Sequence, residues 1–121
     1  MNLKALRYME CGMSKLLTLL LIMATAGQLY SQVVVTHFNA EWNDANKVEW
    51  LKKLTDCDIT KVDIVKQPKF QTKHKIVVVP TIIVFKDGEE VKRFQADVSF
   101  KMVATREELQ EYIDELIMSD F

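Results

Sequence analysis

Few side chains in this sequence are equipped for chemistry. Cys57 lies between Asp56 and Asp58, and flanking carboxylates raise a thiol's pKa and suppress its reactivity. A packed, structural thiol is expected, with an intermolecular disulfide in an oxidising compartment as the alternative. The other cysteine, Cys11, precedes an apolar run and is not placed like a lipidated one. His37 and His74 are the two histidines. Neither stands at ligand spacing from the other or from Cys57, so no metal is expected. Ser99 and Ser119 carry no nucleophile motif, and Glu89-Glu90 and Glu107-Glu108 read as solvated turn and helix-start charges. Gly88 is the one glycine beyond residue 31, which leaves no loop to cradle a phosphate. No cofactor is expected.

With 121 residues, the chain is the length of one ordinary domain, not of a multidomain enzyme. Sixteen basic and 17 acidic residues give a formal charge of −1, and their even scatter offers no stripe for nucleic acid. A composition with 27% charged and 9% aromatic residues excludes a low-complexity chain. Two cysteines cannot staple a disulfide scaffold.

Residues 1–31 read as a signal peptide. Lys4, Arg7 and Lys15 precede an apolar run from Leu16 to Ala26, which as a helix would span about 16 Å, roughly half a bilayer's hydrocarbon core. Positive flank, short apolar core and small residues are the export pattern. Cleavage is expected after Ser31, with Ala26 as the alternative site, Met13 as an alternative start, and an uncleaved anchor or a helix of the fold as competing readings. Cleavage leaves residues 32–121, roughly 90, which can hold one thin core.

The elements that must position any site follow from local pattern. Gln32 to Phe38, with Val33-Val34-Val35, reads as a buried strand. Asn43 or Asp44 is placed to cap a helix through about Thr55, with Val48, Trp50, Leu51 and Leu54 on its apolar face. Asp58 to Val65 reads as a strand, and Pro68 opens a short helix to His74. Thr81 to Phe85 is a second β-branched run, and Lys86-Asp87-Gly88-Glu89 is a hairpin turn into a strand over Glu90 to Gln95. Thr105 and Glu108 form a capping box before a helix with Leu109, Tyr112, Ile113, Leu116 and Ile117 on one side. Trp50 and Tyr112 are assigned to the core. Two crossovers imply parallel strands, and the Asp87-Gly88 turn implies an antiparallel pair. The fold class is α/β, a mixed central sheet with helices on both faces.

The segment Val35-Thr-His-Phe-Asn-Ala-Glu-Trp42, followed by Asn43-Asp-Ala-Asn46-Lys47, resembles the active-site segment of the thioredoxin family, where an apolar strand ends in Phe-x-Ala-x-Trp and Cys-x-x-Cys-Lys opens a helix. Val79-Pro80-Thr81 and the run to Gly88 resemble that family's cis-proline, strand and hairpin. The likeness covers about Val33 to Ile117 and implies the three-layer thioredoxin-like fold, without the family's extra amino-terminal strand and helix. Asn43 and Asn46 stand where the family has its redox cysteines. An amide is neither an ionisable nucleophile nor a sulfur leaving group, so dithiol exchange at these positions is not expected. Asn43 instead suits a helix cap. His37 falls where many members carry a buried acid, and with no cysteine to serve it is expected to pack in the core.

What the resemblance leaves is a surface. In the family the backbone beside the cis-proline pairs with an extended peptide; the corresponding positions are Trp42, Val78, Val79, Pro80 and Ala96. Pairing through main-chain atoms is β-addition with loose side-chain preference. Val79, Pro80 and Thr81 retained only to build the fold is the competing reading. Two functions of different class follow: an exported binding module or assembly subunit for a protein or extended peptide partner, with no enzymatic activity, or a thiol oxidoreductase acting through Cys57 or a partner's cysteine. The separation of Cys57 from Trp42 and Pro80 favours the first. The expected location is exported, periplasmic or extracellular in a bacterium, with no membrane association unless the signal stays on as an anchor.

Overall fold

The computed structural model describes residues 32–120. The expected signal peptide over 1–31 lies outside the described residues. Four strands form one mixed sheet in the order β2-β1-β3-β4, from β1 (Val33–Asn39), β2 (Asp58–Asp63), β3 (Thr81–Lys86) and β4 (Glu89–Gln95). β1 pairs with β2 in parallel and with β3 antiparallel, and β3 pairs with β4 antiparallel.

The two central strands are buried along most of their length because both of their faces are covered. Val33 and Val35 join Ile82 and Val84 in one core, closed by Val48, Leu51, Leu54, Leu109 and Ile113. Phe38 and Ile83 face the other way, against Ala40, Ile64, Ile76 and Val79, with Phe70 packed on them. Helix α1 (Pro68–His74) therefore lies on one face and α2 (Arg106–Met118) on the other, three layers in all.

Local chemistry sets several boundaries. Asp87 (φ 54°) and Gly88 (φ 88°) both have positive φ and join the pair Lys86 and Glu89, the geometry of a type I′ hairpin. Thr105 accepts from the Glu108 amide (3.1 Å) while the Glu108 carboxylate accepts from the Thr105 amide (2.9 Å), starting α2. Pro68 opens α1, which ends at left-handed Lys75. There the Arg93 guanidinium from β4 donates to the carbonyls of His74 (2.7 Å) and Lys75 (3.1 Å), groups a helix end leaves without partners.

Two expectations are corrected. The helix from Asn43 or Asp44 to Thr55 does not form. Two 3₁₀ turns replace it, Glu41–Asn46 and Trp50–Lys53, with extended backbone at Lys47. Val48, Leu51 and Leu54 are the buried apolar residues, and their spacing of three suits a three-residue period. The Val48 amide donates to His37 Nε2 (3.2 Å), not to a carbonyl one turn back, which interrupts a helical ladder. The second correction concerns strand direction. The chain over 40–57 returns to the start of the sheet, so β2 runs parallel to β1. α1 is seven residues, about 10 Å long, and cannot carry the chain back along a six-residue strand of about 20 Å. β3 therefore starts where β2 ended and runs antiparallel to β1.

Candidate partner-binding groove

β1 delivers the chain at its C-terminal end to Ala40, Glu41 and Trp42. Trp42 is 63% exposed and meets Phe100 edge to face, with ring centroids 5.3 Å apart. Phe100 holds a left-handed conformation (φ 64°) in the loop after β4. There the Asp97 carboxylate accepts from the Ser99 amide (2.9 Å), the Ser99 hydroxyl (2.6 Å) and the Lys101 amide (3.2 Å). Those bonds, the Ser99 hydroxyl first among them, hold the carboxyl below its ordinary pKa. The Phe100 amide donates to the Asp97 carbonyl (3.0 Å), and Ala96 bridges to Met102.

Opposite these rings runs the chain that enters β3. Ile76, Val77, Val78 and Val79, with Ile64 and Gln71, complete a groove of about 110 Å³ with Trp42 and Phe100. Val77 is 81% exposed. The Val79–Pro80 bond is cis, and the Thr81 hydroxyl donates to the Val78 carbonyl (2.6 Å). Among the described residues, the amide of Val79 meets no acceptor, although Val79 is 3% exposed. A buried main-chain donor without a partner is costly.

Asn43 stands behind the groove as a buried hub, not as a helix cap. It is 4% exposed, and the residue at the cap position is Ala40, which makes no side-chain cap. The two hydrogens of the Asn43 amide are shared among Asn39 Oδ1 (3.1 Å), the Val79 carbonyl (3.4 Å) and the Phe100 carbonyl (3.2 Å). Its oxygen accepts from Asn46 Nδ2 (2.9 Å), and Asn39 Nδ2 donates to the Asn43 carbonyl (3.2 Å). The Asn43 side chain thus ties the 3₁₀ turn to both walls of the groove, and Asn46 holds Asn43 in place. The capping expectation fails because Asn43 lies inside the 3₁₀ turn, not ahead of it, and the side-chain oxygen a cap would use accepts from Asn46 Nδ2 instead.

Of the five positions named from the resemblance, Trp42, Val78 and Val79 line the groove. Pro80 and Ala96 do not line it; the Ala96 amide donates to the Pro80 carbonyl (3.0 Å). Phe100, Val77, Gln71 and Asn39 were not singled out from the sequence. Val77 carried a signal, a valine triplet before proline with no strand to absorb it, whereas nothing near Phe100 distinguishes it.

Cys57 lies at the other end of the sheet. It precedes β2, whose first residue pairs with Val34 near the start of β1, so a strand length of about 20 Å separates it from the groove. It is half-buried against the core of Val35 and Leu51. Burial first, then Asp58 and Asp56, pushes its pKa up to about 11. His37 is 5% exposed, and burial, helped by Lys61, lowers its pKa to about 4. It borders a second cleft of about 320 Å³ that includes Glu41, Asp44, Lys47, Lys61 and Asp63. Charges of both signs line this cleft, with Asp44 and Lys47 3.8 Å apart, so it favours no one class of ligand. Among the described residues no three His, Cys, Asp or Glu side chains gather as a metal site. None of the described helices is long and apolar enough to cross a membrane.

Residues 28–115 match the family model described as Thioredoxin. A curated relative, Thioredoxin Y1, chloroplastic, from Arabidopsis thaliana, is 40% identical over 48 residues, which are 40% of this chain and 28% of that protein. The matched stretch thus covers little more than a quarter of that relative's length. Among solved structures, a point mutant of the thioredoxin from Halobacterium salinarum superposes with a TM-score of 0.58 at 24% identity, covering 71% of this chain and 75% of that one. Schistosoma mansoni thioredoxin gives 0.55 at 24% identity, covering 80% and 87%. At that identity these structures speak for the shared fold.

Proposed function

The chain belongs to the thioredoxin family, and we propose that it works there as an exported binding module without dithiol exchange, taking an extended apolar segment of a protein partner into the groove between Trp42 and Val77. One observation carries this reading. Asn43 and Asn46 occupy the positions that resemble the family's redox pair; they are bound to each other, and Asn43 also to the Val79 and Phe100 carbonyls of the groove walls. The groove beside them stays open, with Trp42 and Val77 exposed and the Val79 amide lacking an acceptor among the described residues. An open apolar groove beside two asparagines, which cannot exchange a disulfide, supports the reading of a binding module. The rival reading, chemistry through Cys57, finds no support in a thiol pushed up to about 11 and set at the far end of the sheet.

Equilibrium binding of extended valine-rich peptides to the full chain tests the module. Trp42→Ala should weaken it at least thirtyfold, about 2 kcal/mol, as loss of a central aromatic anchor does. Equal binding by wild type and Trp42→Ala would overturn the site. Turnover of a disulfide substrate that disappears in Cys57→Ser would overturn the loss of redox function. Export is tested by the intact mass of protein from its native source, expected to begin near Gln32.

A further inference from the structure

We propose that the outer edge of β2 is an interface, where two copies of this chain pair antiparallel about a two-fold axis at Val62 and join their sheets into one. β2 and β4 are the outer strands of the sheet. The β4 edge is blunted: its pairing with β3 slips at Val91, a bulge, and the Val91 carbonyl accepts from the Tyr112 hydroxyl (3.1 Å). β2 has neither device. Its parallel register with β1 is unbroken from Asp58 to Asp63, and the Ile64 amide donates to the Asn39 carbonyl (2.9 Å). With a period of two, the main chain of Thr60 and Val62 also bonds β1, and that of Ile59, Lys61 and Asp63 points away from the sheet. Among the described residues this outward row has one partner, the Gln67 amide on the Asp63 carbonyl (2.9 Å). A row of unpaired amides and carbonyls is a template for another strand.

Charge selects both the occupant and the register. Lys61 and Asp63 stand two apart on β2, so both side chains lie on one face of the sheet. Lys61 is exposed. Glu41 and Asp44 border the same cleft, yet no carboxylate of the described residues comes within ion-pair distance of Lys61. Asp63 Oδ1 accepts from the Val65 (2.9 Å) and Lys66 (3.2 Å) amides, which fixes the carboxylate at the strand end and leaves Oδ2 to face a cation. When two identical edges pair antiparallel, outward residues must meet outward residues, which permits few registers. Centred on Lys61 or Asp63, the pair sets like charges directly opposite, which is destabilising. Centred on Ile59 or Thr60, it sets Lys61 against Cys57 or Ile59, with no carboxylate to meet. Centred on Val62, it sets Lys61 against Asp63 twice, Val62 against itself and Thr60 against Ile64. Lys61 and Asp63 then also exchange main-chain hydrogen bonds, the Asp63 carbonyl through its second lone pair. An unrelated extended peptide would find the same outward groups but not this doubled match of charge, which is why a second copy is favoured. Two-fold pairing of one edge closes on itself as a dimer.

Sedimentation equilibrium of the full chain from about 10 μM to about 1 mM reads the pair, a weak one because two short edges bury less than a standard interface. Lys61→Asp and Asp63→Lys should each weaken association by about tenfold or more, since each sets like charges opposite across the axis. An equimolar mixture of the two variants should associate as the wild type does, because each altered edge then meets its opposite charge. Thermal unfolding checks that both variants fold, as Asp63 also holds the turn after β2. Should Asp63→Lys fail that check, amide exchange decides. The Ile59 and Lys61 amides of the wild type should exchange about tenfold more slowly once about nine-tenths of the chains are paired, and Lys61→Asp should remove that protection. Trp42→Ala should pair as the wild type does, so failure here and failure of the groove reading are separate results. A monomer at every concentration would overturn the proposal. So would a dimer that survives Lys61→Asp, or a mixture of folded variants that associates no better than its parts. A dimer lost in Trp42→Ala would move the contact to the groove and overturn it likewise.

Discussion

His37 links acid sensitivity to a single buried ring. Its Nε2 accepts from the Val48 amide, so the neutral ring carries its proton on Nδ1. Protonation places a charge in a buried site and near Lys61, the reasons the pKa falls from 6.5 to about 4, and it also removes that acceptor. The unfolded chain takes up the proton near pH 6.5 and the folded one only near pH 4, so between these values the unfolded state binds more protons. Stability contributed by neutral His37 is thus full above about pH 7.5 and is lost as pH falls. The shift corresponds to about 3 kcal/mol in all, of which about 2.5 kcal/mol is gone by pH 4.5. That is a large share of the total for a domain of roughly 90 residues. The variant to compare is His37→Gln, whose amide oxygen can accept from Val48 but does not titrate. Urea unfolding of both full chains, followed by tryptophan fluorescence at pH 7.5 and 4.5, gives the difference. Any constant cost of the substitution cancels between the two pH values, as do the contributions of Glu90 and Asp97, both held below the usual carboxylate range. The wild type should lose about 2.5 kcal/mol more than His37→Gln over this interval. Equal losses would refute the reasoning, since they would mean that the ring does not stay neutral in the fold.

Asn43→Ala removes the donor to the Val79 and Phe100 carbonyls and the acceptor of Asn46; it should cost about 2 kcal/mol, read as a lower urea midpoint with an unchanged slope. Cys57 should react about a hundredfold more slowly with iodoacetamide at pH 7.5 in the folded chain than in urea, because its pKa stands near 11; peptide mass spectrometry separates it from Cys11, and equal rates would contradict its burial. Thr105→Ala breaks the capping box at the start of α2 and should lower stability by about 1 kcal/mol, or about 4–8 °C in Tm.

Features governed by neighbours in sequence were legible in the sequence. Asp87-Gly88 demands positive φ and makes the turn whatever surrounds it. Thr105 and Glu108 satisfy each other's amides within one turn, and Pro68 opens α1 because it needs no amide partner there. The β-branched runs of β1 and β3 marked the doubly covered centre of the sheet. The groove was half legible: Trp42, Val78 and Val79 came from the resemblance, while Phe100 and Gln71 reach it from segments whose local pattern says nothing of a site.

Residue order alone was enough for the number and kind of most elements, the mixed sheet between helices and the absence of cysteines at positions 43 and 46, because these rest on propensities, caps and residue identity over a few neighbours. Packing across the fold was needed to make residues 43–55 turn as two 3₁₀ pieces, to face Asn43 inward and to bring Gln71 and Phe100 to one groove. For the first two, the partners responsible lie far off in the chain: His37 Nε2 and the carbonyls of Val79 and Phe100 come from 11, 36 and 57 residues away. A hydrogen bond offered across the fold can displace the one that local pattern predicts, because each is worth only about 1 kcal/mol.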